Sequence, residues 1–358
     1  TAPPDRGVHR RYWATACLIL WAWMGAAWAE PIRIATYNTE LSRRAPGLLI
    51  RDLRDGKDPQ VAAVLSVIAH VAPDVIVLQG IDYDYGGVAA DELRTALSAA
   101  GHQMAHVFTR PPNAGLRTGL DHTGNGYTDN AGDAQGYGRF TGEGGMVVLS
   151  RYPITSFVDF TEFLWADLPD ADLPTHPDGT PFPSAEVQAI QRLSSLSHWD
   201  LSIDTPDGPL HLLTYHATPP VFDGPEDRNG RRNKDELLFW TRYLNGDLPF
   251  VPPTGRYVLA GDANLDPDHG DGQSHAMAAT LTGGLFTDPA QTGADGATYT
   301  ADWRKIGVGL MRVDYVLPAP DLRVTDGGVF RPADPEWADT IARASRHNLV
   351  WVDVEMPR

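Results

Sequence analysis

A series of short runs rich in β-branched, apolar and aromatic residues, several closed by a single Asn, His or Asp, constrains this chain more than any other feature. Ile32–Tyr37 alternates as a half-buried strand does. Further strands are expected at Val75–Leu78, Met104–Phe108, Met146–Leu149, Ile154–Phe160, Leu196–Ile203, Leu210–Tyr215, Tyr257–Ala260, Val313–Leu317 and Leu349–Val354. Helical spacing occurs at Pro59–Ala72, where Val61, Val64, Leu65 and Ile68 share a face, and helices are also expected at Asp91–Ala100 and Lys234–Leu244. Strands that outnumber helices in this way predict an α/β sandwich, two sheets packed together and covered by helices. Thr109–Gly145, rich in Gly, Asn and Asp, and Leu164–Ser184, rich in Pro and Asp, show no period and read as long loops.

The first 29 residues do not fit that pattern. Arg6, Arg10 and Arg11 precede the apolar run Trp13–Ala26, and Ala27-Trp28-Ala29 offers a small-x-small cleavage site. A signal peptide over 1–29 is expected, with export to a secreted or periplasmic location and a mature chain beginning at Glu30. The run is too short for a membrane span, and no later stretch is apolar enough for one. Cleavage would take the formal charge from −17 to −19 through loss of Arg6, Arg10, Arg11 and Asp5, and would remove Cys17, the single cysteine. The mature chain would then hold no disulfide and must rest on a hydrophobic core. With 29 Lys and Arg against 46 Asp and Glu, it lacks the general cationic surface that long nucleic acids require.

Five segments carry side chains suited to chemistry, each at or just beyond a strand end, where open α/β folds collect their sites. Asn38 closes the first strand; its amide suits a hard cation through oxygen or a phosphate through nitrogen. Asp262 and Asn264 follow the Tyr257–Ala260 strand at i and i+2, so they leave it on one side. His216 closes Leu210–Tyr215. Asp314 lies inside an apolar strand, where a carboxylate needs a partner. His347 opens the last strand; an Asp–His pair fixes the imidazole tautomer and stabilises its charged form.

In this order the five segments resemble the endonuclease/exonuclease/phosphatase superfamily, from Ile32 to Val354, with support from Ala72-Pro73-Asp74-Val75-Ile76-Val77-Leu78-Gln79 and from Gly144–Arg151, which ends in Leu-Ser-Arg. The resemblance implies a deoxyribonuclease I-like, four-layer sandwich, one catalytic domain over 30–358, and a Mg²⁺-dependent phosphoesterase, with Mn²⁺ or Ca²⁺ as alternative ions. It implies that Asn38 lies near the metal, Asp262 orients water, Asn264 binds phosphate, His216 and His347 are the catalytic histidines, and Asp314 orients the second. Glu143, just before the Met146 strand, matches a glutamate paired to the first histidine. A small or lipid-linked phosphoester is favoured over long nucleic acid. The rival readings are a nuclease and a non-catalytic exported binding protein.

Two positions depart from the family pattern. The metal glutamate expected after Leu78-Gln79 is Gly80, and the acid expected before His347 is Arg346. Asp82 and Asp84 follow Gly80 at strand spacing, on the face of the missing side chain. Asp82 is therefore the expected metal carboxylate, with Asp84 and Glu40 behind it, and a glutamate restored at position 80 is expected to be tolerated. Arg346 is expected to act as a fixed cation on phosphate. Arg232, in the Arg-rich stretch Phe222–Glu236, is read as a second substrate contact.

Overall fold

The computed structural model describes Thr1, Ala2 and residues 30–357. The signal expected over 1–29 lies, apart from its first two residues, outside the described residues. Among the described residues thirteen strands follow in chain order: β1 (Ile32–Asn38), β2 (Val75–Ile81), β3 (His106–Phe108), β4 (Gly145–Ser150), β5 (Ile154–Asp159), β6 (His198–Thr205) and β7 (Gly208–His216) come first. β8 (Tyr257–Asp262), β9 (Ala301–Asp302), β10 (Leu310–Met311), β11 (Asp314–Pro318), β12 (Arg323–Val329) and β13 (Val350–Glu355) complete them. They form a six-stranded sheet, β12-β13-β1-β2-β4-β3, a five-stranded sheet, β11-β8-β7-β6-β5, and a small β9–β10 hairpin. Helices are α1 (Leu48–Asp55), α2 (Pro59–Val71), α3 (Val88–Ala99), α4 (Ala185–Ile190), α5 (Arg228–Leu244), α6 (Ser274–Thr282) and α7 (Ala338–Ala344).

The alternation in β1 decides the layering. Ile32 and Ile34 join a core shared with Trp199, Leu201 and Leu212 of the other sheet, while Ala35 and Tyr37 face the layer of α1, α2, α3 and α7. Phe108 of β3 meets Trp199 of β6 edge-on at 5.1 Å, joining the two sheets. On the far side of the five-stranded sheet, α5 packs Trp240 against Tyr215 and stacks it on His198. The result is a mixed α/β sandwich of two sheets between helical layers. Asp58 caps α2 by accepting from the Gln60 and Val61 amides, with Pro59 at the first helical position, where its missing N–H costs nothing.

Candidate active site

Strand register brings the chemistry together. Asp262, the last residue of β8, is paired across the ladder with Asp314 on one side and His216 on the other. Directly opposed residues project to the same face of a sheet, here the face toward the six-stranded sheet. Asn38 continues the Ile32–Ile34 stripe of β1 and approaches from that opposite sheet. Its Nδ2 donates to Asp262 Oδ2 at 2.9 Å, so one hydrogen bond spans the two sheets at the centre of the site.

The other side chains surround that bond. His216 Nε2 lies 3.4 Å from Asp262 Oδ2, and His347 Nδ1 lies 2.9 Å from Asp314 Oδ2. His347 Nε2 is 3.5 Å from Asn38 Nδ2. Asn264 holds a left-handed φ of 48°, which turns the chain so that its amide N–H meets Asp262 Oδ1 at 2.9 Å and its Nδ2 donates to the Ala217 carbonyl at 2.9 Å. Asn38, Glu40, His216, Asn264, Arg346 and His347 all line one cavity of about 270 Å³.

Burial sets the protonation states. Asp262 has its pKa raised by burial and by the neighbouring Asp314, against the pull of the two histidines. Burial opposes charge on His347 too, but Asp314 and Asp262 outweigh it and push the imidazole up to about 9. His216 shifts down, because burial exceeds the attraction of Asp262. One histidine is thus held charged and the other neutral at pH 7, an asymmetry that suits paired acid and base roles. Glu40 stays below the usual carboxylate range: burial works against its charge, but the Arg346 guanidinium and backbone amide hold it ionised.

Oxygen donors suited to a hard cation converge here. Asp314 Oδ1 is buried with no hydrogen-bond partner, and Asn38 and Glu40, each with a side-chain oxygen, line the cavity. Asp262, Asp314 and His347 also offer one ligand atom each within 4.8 Å of one another, so an ion could be held there if His347 gave up its proton. The donor set fits a divalent ion.

Helix α5 supports the site from behind, and its buried face is polar. Glu236 accepts from the Ser195 amide at 2.5 Å and the Thr218 amide at 2.7 Å. Asn233 donates from one Nδ2 to the carbonyls of Thr218 and Ala263, both at 2.8 Å. These bonds hold the chain just beyond His216 and just beyond Asp262. Nothing in the sequence singled out Asn233 or Glu236. Their signal, polar residues interrupting a helical period, reads equally as an exposed face.

Five expectations fail on geometry. Asp82 does not join Asn38: its oxygens accept from Ser42 Oγ at 2.7 Å, Gly144 N at 3.0 Å and Arg43 N at 2.8 Å, and it opens on a different cavity. Asp84 caps α3 through the Val88 and Ala89 amides. Glu143 pairs with Arg139 rather than His216, whose Nδ1 is buried without a partner. Arg232 is buried, and its guanidinium donates to the carbonyls of Leu193, Gln135, Arg192 and Ser194, which leaves it no reach to substrate. Nor is there room for a glutamate at position 80: Gly80 has φ 74°, and a Cβ would sit 2.9 Å from Glu40 N and 3.0 Å from Asn38 Oδ1. Arg346 does stand at the cavity, paired with Glu40.

A profile of the Endonuclease/Exonuclease/phosphatase family matches residues 35–347. The chain belongs to that family. Members of the endonuclease/exonuclease/phosphatase family are generally divalent-cation-dependent hydrolases of phosphoesters. No curated protein matches the sequence. Among solved structures, an endonuclease/exonuclease/phosphatase from Beutenbergia cavernae DSM 12333 superposes with a TM-score of 0.56 at 21% identity, covering 91% of this chain and 72% of its own. One from Bacteroides vulgatus gives 0.51 at 14% identity, covering 91% and 99%. Sphingomyelinase C from Streptomyces griseocarneus gives 0.50 at 17% identity, covering 90% and 99%. At these identities the likeness is one of fold. No helix among the described residues is long and apolar enough to cross a membrane.

Proposed function

We propose that this chain is an exported, divalent-cation-dependent hydrolase that opens a phosphate ester by in-line attack of water. The observation that supports the reading most is Asp262, fully buried, with Asn38, His216 and the Asp314–His347 pair gathered around it. A carboxylate with a raised pKa takes a proton from water as the oxygen bonds to phosphorus. His347, charged at neutral pH, gives its proton to the departing ester oxygen as the P–O bond breaks. His216 and the second Nδ2 hydrogen of Asn264 hold non-bridging oxygens, and Arg346 supplies a further cation at the rim. Asn38 and Glu40, rather than Asp82, are the oxygen ligands assigned to the ion. A bound Mg²⁺, Mn²⁺ or Ca²⁺ would neutralise charge on the phosphoryl oxygens. A formal charge of −17 disfavours long nucleic acid and favours a small or lipid-linked phosphoester.

The test is turnover of phosphomonoesters and phosphodiesters with and without EDTA. Asp262→Asn should lower the rate by about 10²–10⁴. Glu40→Gln should weaken Mn²⁺ binding in a calorimetric titration, a readout independent of turnover. Hydrolysis indifferent to both EDTA and Asp262→Asn would refute the mechanism, and no turnover on any phosphoester would leave an exported binding protein. Export rests on the basic, apolar and Ala-Trp-Ala segments of residues 1–29. Intact-mass measurement of the protein from its host should find a chain starting at Glu30, and an exported chain retaining Trp13–Ala26 would contradict it.

A further inference from the structure

Exposed apolar side chains are ordinary when scattered and informative when they gather around one opening. Here they gather. Phe222 is 91% exposed, Ile306 62% and Val308 55%, and all three line the cavity that holds Asn38, His216 and His347. Leu310, next along β10, is 36% exposed. They come from two separate segments on the cavity wall, Pro219–Phe222 and Trp303–Met311. Phe222 holds a left-handed φ of 68°, a conformation unfavourable for an aromatic residue, while its ring packs on almost nothing.

The second segment is firmly built. β9 and β10 pair Ala301 with Met311 and Asp302 with Leu310, and the turn is closed by Trp303 N to Gly309 O at 2.8 Å and Ile306 N to Trp303 O at 3.0 Å. Trp303 anchors it inward, meeting the His347 ring edge-on at 5.3 Å. Cations flank the apolar tip. Lys305 is exposed beside Ile306, Arg304 is exposed and paired with Asp302, and Arg346 stands 52% exposed on the same rim. In so acidic a chain, basic groups beside an apolar tip match a surface that presents phosphates above hydrocarbon.

We propose that Phe222 and the 303–311 hairpin form an apolar collar that seats the protein on a phospholipid surface, with the catalytic cavity opening directly onto it. The occupant is a zwitterionic lipid layer, since the strongly negative whole would be repelled by an anionic one. The collar deepens the phosphoesterase reading by naming where the substrate is found, and it rests on that reading only for the cavity's chemistry.

Docking can be measured without turnover. The Asp262→Asn protein in EDTA should float with phosphatidylcholine vesicles, and a Phe222→Ser, Ile306→Ser, Val308→Ser triple variant should bind them about tenfold or more weakly. Phe222→Ser alone should lose a smaller share. Val251→Ser, which changes an equally exposed apolar residue elsewhere, should bind as before. Unchanged melting temperatures would exclude misfolding as the cause. Absence of flotation, or flotation indifferent to the triple change, overturns the collar. So does a concentration-dependent dimer dispersed by the same changes, since a second copy would then be what covers the patch. Vesicle binding by a protein with no phosphoesterase activity would sink the proposed function and leave the collar standing, whereas activity without vesicle binding would do the reverse.

Discussion

Gly80 stands where the family resemblance leads one to expect a glutamate, and its role is conformational. Its φ of 74° falls at a break in the β2–β4 register between Gln79 and Ile81, where one extra residue bulges from the strand. A side chain there would press on Glu40 N and Asn38 Oδ1. Gly80→Ala should therefore cost about 1–2 kcal/mol of stability by thermal denaturation. A variant as stable as the wild type would show that the left-handed turn is not required. The same bulge explains why Asp82 was misplaced from sequence. Counting i, i+2 along a strand assumes an unbroken pleat, and a single bulged residue reverses the facing of everything beyond it. Glu40, itself at φ 50°, was reachable from sequence only as one acid among three. By contrast Asn38, Asp262, Asp314 and the two histidines stand out in the sequence, because each sits in or beside a strand pattern, where chemistry-bearing residues have few other reasons to recur.

Helix α5 was half legible. The apolar period from Leu237 to Leu244 marks its second half, but the helix begins at Arg228, and Arg232, Asn233, Asp235 and Glu236 are buried although polar. Hydrophobic periodicity cannot reveal a buried face made of hydrogen bonds. Arg232 shows the consequence: a cation judged free for phosphate is used to fasten loop carbonyls. Edge strand β12 was missed for a related reason, since its Asp326-Gly327-Gly328 interrupts any alternation and a register shift lies between Val324 and Asp326. For α5 the physics gives a pH signature. Burial pushes the Glu236 carboxyl up to about 7, with the Arg232 charge and two amide donors opposing it. The fold thus prefers the protonated acid, and this contribution is full below the ordinary value of about 4.5 and lost as pH rises through about 7. Glu236→Gln stays neutral, so its stability relative to wild type should climb over that window by on the order of 3 kcal/mol at most. Denaturant unfolding at several pH values would measure it, and a stability difference that does not move with pH would rule the linkage out.

At the scale of the molecule, the two-sheet sandwich followed from counting strands, but the order of strands within each sheet did not. Nothing local distinguishes a strand that pairs with its neighbour in sequence from one that crosses over, as β1 does to lie between β13 and β2. The long unpatterned loops read as loops in the sequence, yet nothing in it shows where they attach. Asn113 donates to the Thr161 and Ser194 carbonyls, and Arg228 to that of His122, contacts that only the assembled fold provides.

The bond between Asn38 and Asp262 joins residues 224 positions apart, and Asn38 and His347 approach across 309. Asn38 and Asp262 end strands of different sheets, and His347 stands just before the last strand, at the opposite end of the chain from Asn38. Contacts of such span carry the full entropy of loop closure and tend to form late. A partly folded molecule with the five-stranded sheet alone would align His216, Asp262 and Asp314 on neighbouring strands but would lack Asn38 and His347. Competence therefore arrives all at once, with the docking of the two sheets, and a nascent chain inside the cell that makes it would be inert until its last strand is in place.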